Sequence, residues 1–497
     1  MSSPTPNPSS DPLLDRNHFR ERTFYPQQIR PFTEALALLP VPILPEHDDW
    51  LEMYWRAWEI GWQQLRRPSA LAGFISSYSG PVADENLSMW ETAFSLQYGL
   101  YGRRAFHFAG SLDNFYAKQH DDGYICREIN EQDGHDFFEK FAPGSTGPNL
   151  LPWAEWRYYR QTGDETRLHE VFWPMLAYHR WLRRHRTWRN GGYWGTGRSA
   201  GSGGHVPNAG ADYHGHHIWL EPTLHACLNC FYLTQIGESV GAGDILAELH
   251  REREQLLRLI TDQLWDRDDQ FLHDLGPDGQ FAPAKSIGAY WALFDPSLLP
   301  GKLQEGFLAH LKDETAFGRQ HPLPSLSANS PGYSGKRWDG GVWSPTNYLV
   351  LKGLRALGWH KLAHKLASEH LKQVADVYVR TDTLWEYYAP DDTAPGEGAR
   401  PNYVGWTGLT PIAMLIEEII GIQIDWPLRR IYWDRRLNLD EPYGVENLPL
   451  GTDGVVSLLA DAERVTVETT VPFTLTVQDR AGKVQLPVSP GKTEFEL

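Results

Sequence analysis

The sequence predicts an all-α fold class, a toroid of helical hairpins, with a small antiparallel β module at its C-terminal end. Two features of the 497-residue chain point there. Between about residues 28 and 428, helix-length amphipathic segments alternate with long loops rich in Gly, Pro and aromatic residues. Beyond about 428 the apolar period shortens to two, the spacing of half-buried strands.

Residues 1–17 are rich in Pro, Ser and Asn, and the arm they form is expected to be disordered over 1–20. The helical domain is assigned to 21–428. Segments 48–67, 150–162, 167–187, 219–240, 243–264, 343–358 and 360–377 repeat apolar residues at three- and four-residue steps. The loops between them, 73–90, 119–149, 189–215, 320–345 and 385–408, are long for connectors, and long loops on a rigid scaffold tend to carry function. No short sequence repeat is present. The β-rich domain is assigned to 429–497, with a boundary near 426–445. Its segments RVTVETTVPFTLTVQD and QLPVSPGKTEFEL alternate apolar and polar residues.

Composition narrows the partners. Net charge is −17, so no basic footprint for nucleic acid or for an anionic membrane is visible. There is no 18-residue apolar run to span a bilayer. The first residues, MSSPTPNPSSDP, lack the basic start and apolar core of a secretory signal, and three cysteines build no disulfide framework. The expected compartment is the cytoplasm. Cys227 and Cys230 form a CxxC pair inside an apolar stretch without a second pair, the pattern of two small buried helix residues rather than of a zinc site. The chain holds 21 Trp and 22 Tyr. Flat rings with a polar edge suit the CH faces and hydroxyl rims of sugars, and they also fill large cores.

Four segments share an order. They are Met89–Phe94 (MWETAF) with 112–129 (LDNFYAKQHDDGYICREI), 192–198 (GYWGTGR) leading into 219–233, 337–350 (RWDGGVWSPTNYLV), and 384–415, which opens LWEYY and continues through a Gly-rich loop to VGWTGLT. Together they resemble the trehalase-like glycoside hydrolase clan, in the branch with mannosylglycerate and glucosylglycerate hydrolases and processing α-glucosidase. The resemblance covers about 80–460.

It implies an (α/α)6 barrel and an inverting mechanism without metal or other cofactor. Such a mechanism pairs an acid that protonates the leaving oxygen with a carboxylate that takes a proton from water, roughly 6.5–9.5 Å apart. The family's base is the glutamate of its Trp-Glu-x-Tyr motif, here Glu386. The family's acid is an aspartate just beyond its Tyr-Trp-x-Thr-Gly stretch. That region here reads GTGRSAGSGGHVPNAGADYHGHH, which puts His205 at the acid's place and Asp212 as the next carboxylate. Glu91 replaces an aspartate of the family, and Asp339 stands where an arginine is expected.

The expected catalytic residues are therefore Glu386, Asp212 and His205. Asp212 serves as acid if aromatic burial raises its pKa, and His205 is an alternative because imidazole titrates near 6.5. Trp90, Glu91, Arg127, Trp194, Trp338, Asp339, Trp343, Tyr387 and Trp406 are the expected sugar contacts, through ring stacking and bidentate hydrogen bonds. His205, Asp212, His214, His216 and His217 offer metal-ligand chemistry, but their spacing matches no metal motif.

The expected function is hydrolysis of a small α-linked glycoside with inversion. A sugar isomerase, epimerase or lyase in the same barrel is the alternative the histidines favour, and a carbohydrate-binding protein that has lost catalysis is a third. The expected partner is a small carbohydrate, and the oligomeric state is left open.

Overall fold

Two acidic residues, Asp48 and Asp49, open the first long helix, where the positive end of the helix dipole favours them. Behind them Trp50, Met53, Tyr54, Ala57, Trp58 and Gly61 repeat at helical spacing, and all are buried. The computed structural model describes residues 11–24, 28–80, 86–202, 204–437, 441–479 and 482–496. Its α-helices are α1 (Phe32–Ala35), α2 (Asp48–Gln63), α3 (Met89–Gly99), α4 (Gly110–Ala117), α5 (Leu151–Thr162), α6 (Glu165–His185), α7 (Leu220–Ser239), α8 (Gly243–Leu259), α9 (Gly301–Ala309), α10 (Ser344–Ala356) and α11 (His360–Thr381). A 3-10 helix spans Ile287–Phe294 and a π-helix Thr410–Ile420. Each segment with a helical apolar period in the sequence is a helix here, with ends shifted by a few residues.

Helix α3 packs on α5, α5 on α7, α7 on the 3-10 helix 287–294, and that helix on α10. Helix α10 meets the segment 407–420, which returns to α3. Helices α4 and α8 pack against α3 and α7, respectively, α6 against both α5 and α7, α11 against both α10 and the π-helix, and α2 against the π-helix. A buried polar hub sits among them. The Glu417 carboxylate accepts from Lys352 Nζ at 2.7 Å, Tyr101 Oη at 2.8 Å and Tyr348 Oη at 3.0 Å.

Three short ribbons edge the helices: β2 (Leu65–Arg66) with β3 (Tyr78–Ser79), β4 (Asn86–Ser88) with β5 (Glu128–Asn130), and β6 (Trp265–Asp266) with β7 (Phe271–Leu272). The C-terminal strands are β8 (Ile422–Asp425), β9 (Arg430–Asp434), β10 (Tyr443–Leu450), β11 (Gly454–Ala460), β12 (Arg464–Thr469), β13 (Phe473–Gln478), β14 (Lys483–Val488) and β15 (Gly491–Glu496). They form one sheet in the order β1-β10-β11-β12-β15, where β1 is Val41–Ile43, and a second in the order β14-β13-β9-β8.

Three sequence expectations are corrected. The strands begin at Ile422, ahead of 429, and the N-terminal strand β1 completes their first sheet. The module is not purely antiparallel, because β9 and β13 pair in parallel. Of the arm expected to be disordered, residues 1–10 lie outside the described residues, but Pro12–Arg16 and His18–Glu21 are short 3-10 helices. Leu13, Leu14 and Phe19 are buried, and Asn17 donates to the Tyr116 carbonyl at 3.0 Å. A polar composition did not reveal three apolar anchors, Leu13 and Leu14 on the 3-10 helix that packs on α6 and Phe19 on the one that packs on α4.

Candidate active site

Two loops are stitched together by backbone. Val342 and Tyr388 exchange both N–H···O bonds at 2.9 Å, so the 337–343 and 385–388 segments share one wall. Along it Trp338 stacks on Trp343 at 4.0 Å, and Trp343 stacks on Tyr387 at 4.5 Å. Trp406 meets Trp343 edge-on at 5.7 Å. Trp343 and Tyr387 are buried by one another, so they brace the wall, while Trp338 and Trp406 are half-buried and keep ring surface available.

Glu386 sits at this wall and is half-buried. Its Oε1 accepts from Arg400 Nη2 at 2.9 Å. Its backbone N–H donates to the Arg400 carbonyl at 3.0 Å, and its carbonyl accepts from Trp406 Nε1 at 2.9 Å. Both the motif glutamate and its neighbours are thereby held in place.

The β4/β5 ribbon brings a second group. Met89 N–H donates to the Arg127 carbonyl at 2.9 Å, which starts α3 beside that strand with Trp90 and Glu91 in its first turn. Glu91 is buried. A Cβ at Gly405 would lie 1.7 Å from Glu91 Oε1, so glycine alone allows this approach. Tyr403 stands close by, its hydroxyl pKa pushed up by burial and by the Glu91 carboxylate, with Glu386 adding to the effect. Glu91 thus faces the segment that carries Trp406 and the Glu386 wall.

A third group centres on a residue the sequence reading passed over. Glu221 lies in the first turn of α7 and is buried. Its Oε2 accepts the Ser202 N–H at 2.9 Å, and Ser202 Oγ lies 3.2 Å from Oε1. A Cβ on Gly201 would come within 2.6 Å of Glu221 Oε1 and 2.8 Å of the Trp90 ring, which places the glycine between these two side chains. Burial raises its pKa to about 7, against the pull of the Ser202 hydrogen bonds. Beside it His225 is held at about 3, also by burial. A small cavity of about 40 Å³, enough for ordered water, touches Glu221, His225, Asn149, Tyr193 and Trp194. The available signal was a carboxylate directly after the apolar run Ile218–Leu220, at the head of a helix that is apolar on nearly every face.

The remaining expected site residues divide. His205 joins the wall, its Nε2 3.1 Å from the Trp338 carbonyl and 3.7 Å from the exposed Asp339 carboxylate. Trp194 is half-buried, with the Arg186 guanidinium 4.9 Å from its ring centre and His214 edge-on at 5.2 Å. Arg127 is committed to the protein, since Nη1 donates to the Arg198 carbonyl at 2.7 Å and Nη2 pairs with Glu128 at 3.1 Å.

Asp212 differs from expectation. Instead of being buried against aromatics it is exposed, and it pairs with Arg198 at 3.0 Å. His214 and His216 of its loop contact one another and Trp188 as rings. Among the described residues the one group with metal-ligand proximity is elsewhere, His179, Cys230 and Glu252, all buried between α6, α7 and α8. Its carboxylate is already paired with His179 at 3.1 Å and Arg183 at 3.3 Å. All three cysteines are free and buried.

Known proteins are similar to this chain in sequence and in fold. An uncharacterized protein from Borreliella burgdorferi is 24% identical over 418 residues, which cover 80% of this chain and 85% of that protein. A trehalase from Oryctolagus cuniculus is 26% identical over 177 residues, 33% of this chain and 29% of the relative. Among solved structures, the GH63 mannosylglycerate hydrolase from Thermus thermophilus in complex with glucose superposes with a TM-score of 0.58 at 18% identity, covering 73% of this chain and all of that one. The same enzyme has also been solved with Tris and D-glycerate. The structural likeness is one of fold. Residues 111–407, more than half of the chain, match the model of the mannosylglycerate hydrolase MGH1-like glycoside hydrolase domain. The chain is therefore a glycoside hydrolase and belongs to the MGH1-like family of the trehalase-like clan.

Proposed function

We propose that this enzyme hydrolyses a small α-linked glycoside with inversion at the anomeric carbon, and that Glu386 takes the proton from the attacking water. The single observation that carries the reading is the placement of Glu386. Its carboxylate is oriented by Arg400 at the foot of a wall of half-buried Trp338 and Trp406. A water-activating base needs this combination of a fixed, accessible carboxylate and an apolar face for a sugar ring. Trp90, Glu91, His205 and Asp339 supply further polar and aromatic contacts. The substrate class follows the relatives that act on mannosylglycerate and trehalose, in which a sugar is joined to a small polar alcohol.

The architecture fits. The succession of contacts from α3 through α5, α7, 287–294, α10 and 407–420 back to α3 supports six inner elements of an (α/α)6 toroid, with the other helices outside. The helical unit then extends to about 421, and strands β8–β15 form an accessory module. The free, buried cysteines suit the cytoplasm, and no helix among the described residues is long and apolar enough to cross a membrane.

The test is incubation with a panel of α-mannosyl and α-glucosyl glycosides of glycerate, glycerol and glucose, read by proton NMR within the first turnover minutes. The expected result is a β-configured hemiacetal from one of them. An α-configured sugar as first product from a glycerate or glycerol glycoside, or two α-glucoses from an α,α-linked disaccharide, would overturn inversion, and rearrangement without cleavage would overturn hydrolysis of this class.

A further inference from the structure

The hydrolase needs a proton donor, and neither residue expected from the sequence fills the part. Asp212 is exposed and neutralised by Arg198. His205 is turned to the Trp338 carbonyl. We propose that Glu221 is the general acid, the group that delivers a proton to the glycosidic oxygen as the bond from that oxygen to the anomeric carbon breaks. This deepens the reading given above and rests on it.

The geometry assigns the proton to one oxygen. Glu221 Oε2 is occupied by the Ser202 backbone N–H at 2.9 Å, a donor that cannot reverse. The carboxyl hydrogen therefore belongs on Oε1, whose neighbour Ser202 Oγ can accept as well as donate. Oε1 is also the oxygen that faces Gly201, on whose other side lies the Trp90 ring. Trp90 and Glu91 are consecutive, and Glu91 reaches Gly405, beside the Trp406 whose indole holds the Glu386 carbonyl. Glu221 is thus linked to the first turn of α3 through Gly201 and Trp90, and the Glu386 segment to the same turn through Trp406, Gly405 and Glu91.

Their surroundings also differ as acid and base should. Glu386 is paired with a guanidinium. Among the described residues Glu221 has no arginine or lysine in ion-pair range, and the one basic side chain within reach is His225, 3.8 Å away. The charged and titratable groups around it are few. His225 stays neutral, and Asp274, which accepts the Leu220 N–H at 2.7 Å, adds a repulsive negative charge. Burial, the largest influence, favours the protonated carboxyl up to about pH 7. The protons balance. Glu221 loses one to the departing alcohol, Glu386 gains one from the water that becomes the new hydroxyl, and solvent exchange restores both.

The experiment compares an unactivated α-glycoside with the corresponding α-glycosyl fluoride, because fluoride departs with little need of a proton. Glu221→Gln keeps an oxygen for the Ser202 N–H but carries no acidic proton. It should lose on the order of 10²–10⁴-fold in kcat on the O-glycoside and less than about tenfold on the fluoride. Glu221→Asp should show the same ordering with smaller losses. For the wild type, kcat on the O-glycoside should fall above about pH 7, and this alkaline limb should be absent with the fluoride. Circular dichroism, with Glu386→Gln as a folded inactive reference, separates lost chemistry from lost structure. Equal losses on both substrates, or wild-type rates on both, would overturn the assignment of Glu221 while leaving hydrolysis intact. A wild-type enzyme that cleaves neither substrate would instead overturn the proposed substrate class, and the acid with it.

Discussion

Arg400 Nη2 donates to Glu386 Oε1 at 2.9 Å, and the two residues also join through the Glu386 N–H and the Arg400 carbonyl. Side chain and backbone therefore fix the same carboxylate, and Trp406 adds a third restraint through its indole N–H. A base held this way loses little orientation freedom when water must be positioned. Glu386→Gln preserves the acceptor for Arg400 and removes the basicity. Turnover is expected to fall by on the order of 10²–10⁴-fold while sugar binding persists, as measured by steady-state kinetics and calorimetry. A variant with wild-type kcat would exclude Glu386 as the base.

Asp212 provides the contrasting case. Its partner Arg198 is itself nearly half exposed, and surface pairs of this kind contribute about 0–1 kcal/mol. Asp212→Asn should therefore shift the chemical denaturation midpoint only slightly and leave kcat/KM unchanged for substrates with good and poor leaving groups alike. A loss confined to poor leaving groups would restore Asp212 as the acid.

Buried titratable groups set the pH response of folding. Burial lowers His225 and His370 to about 3, and burial beside His370 holds His321 well down. These three stay neutral in the fold but protonate near 6.5 when unfolded. The unfolded state binds more protons below that pH, so their contribution to stability is lost as pH falls from about 6.5. Glu221 has the opposite sign. Its proton is retained in the fold up to about pH 7 and lost by the unfolded chain above about 4.5, so its contribution declines as pH rises between those values. Urea titrations at several pH values should show stability falling on the acid side of about 6.5. Glu221→Gln should gain up to about 3 kcal/mol relative to wild type between pH 5 and pH 8. A pH-independent difference between the two proteins would contradict the raised pKa of Glu221.

The hub at Glu417 should behave as a structural charge. Lys352 and Arg157 converge on it from α10 and α5, both largely or wholly inside the protein. Glu417→Ala takes the carboxylate partner from Arg157 and leaves Lys352 only the more distant Glu418 at 3.7 Å, and an uncompensated buried charge typically costs about 3–5 kcal/mol. Thermal denaturation is the measurement, and a loss below about 1 kcal/mol would mean that water replaces the carboxylate.

The helices were legible in the sequence because their signal is local. Apolar residues at helical spacing, as in Trp50, Met53, Tyr54, Ala57 and Trp58, specify a buried face whatever that face meets. The site candidate Glu386 was legible for the same reason, since its motif neighbours Trp385 and Tyr387 are adjacent in the chain. Burial of a polar side chain is decided by other segments and leaves no local trace. Asp212 stands in an aromatic, histidine-rich stretch yet faces solvent beside Arg198, whereas Glu221 stands in a helix that looks like plain core yet is met by Ser202, Gly201 and Trp90 from other parts of the chain. Trp343 and Tyr387, which read as sugar platforms, are consumed by stacking on each other across a backbone pairing between Val342 and Tyr388. The sequence by itself determined the long amphipathic helices and the alternating strands of the C-terminal module, and it marked the loops in which a site was expected. Only the tertiary structure decided which carboxylate is dry enough to hold a proton, because desolvation depends on neighbours that packing, and not sequence adjacency, supplies.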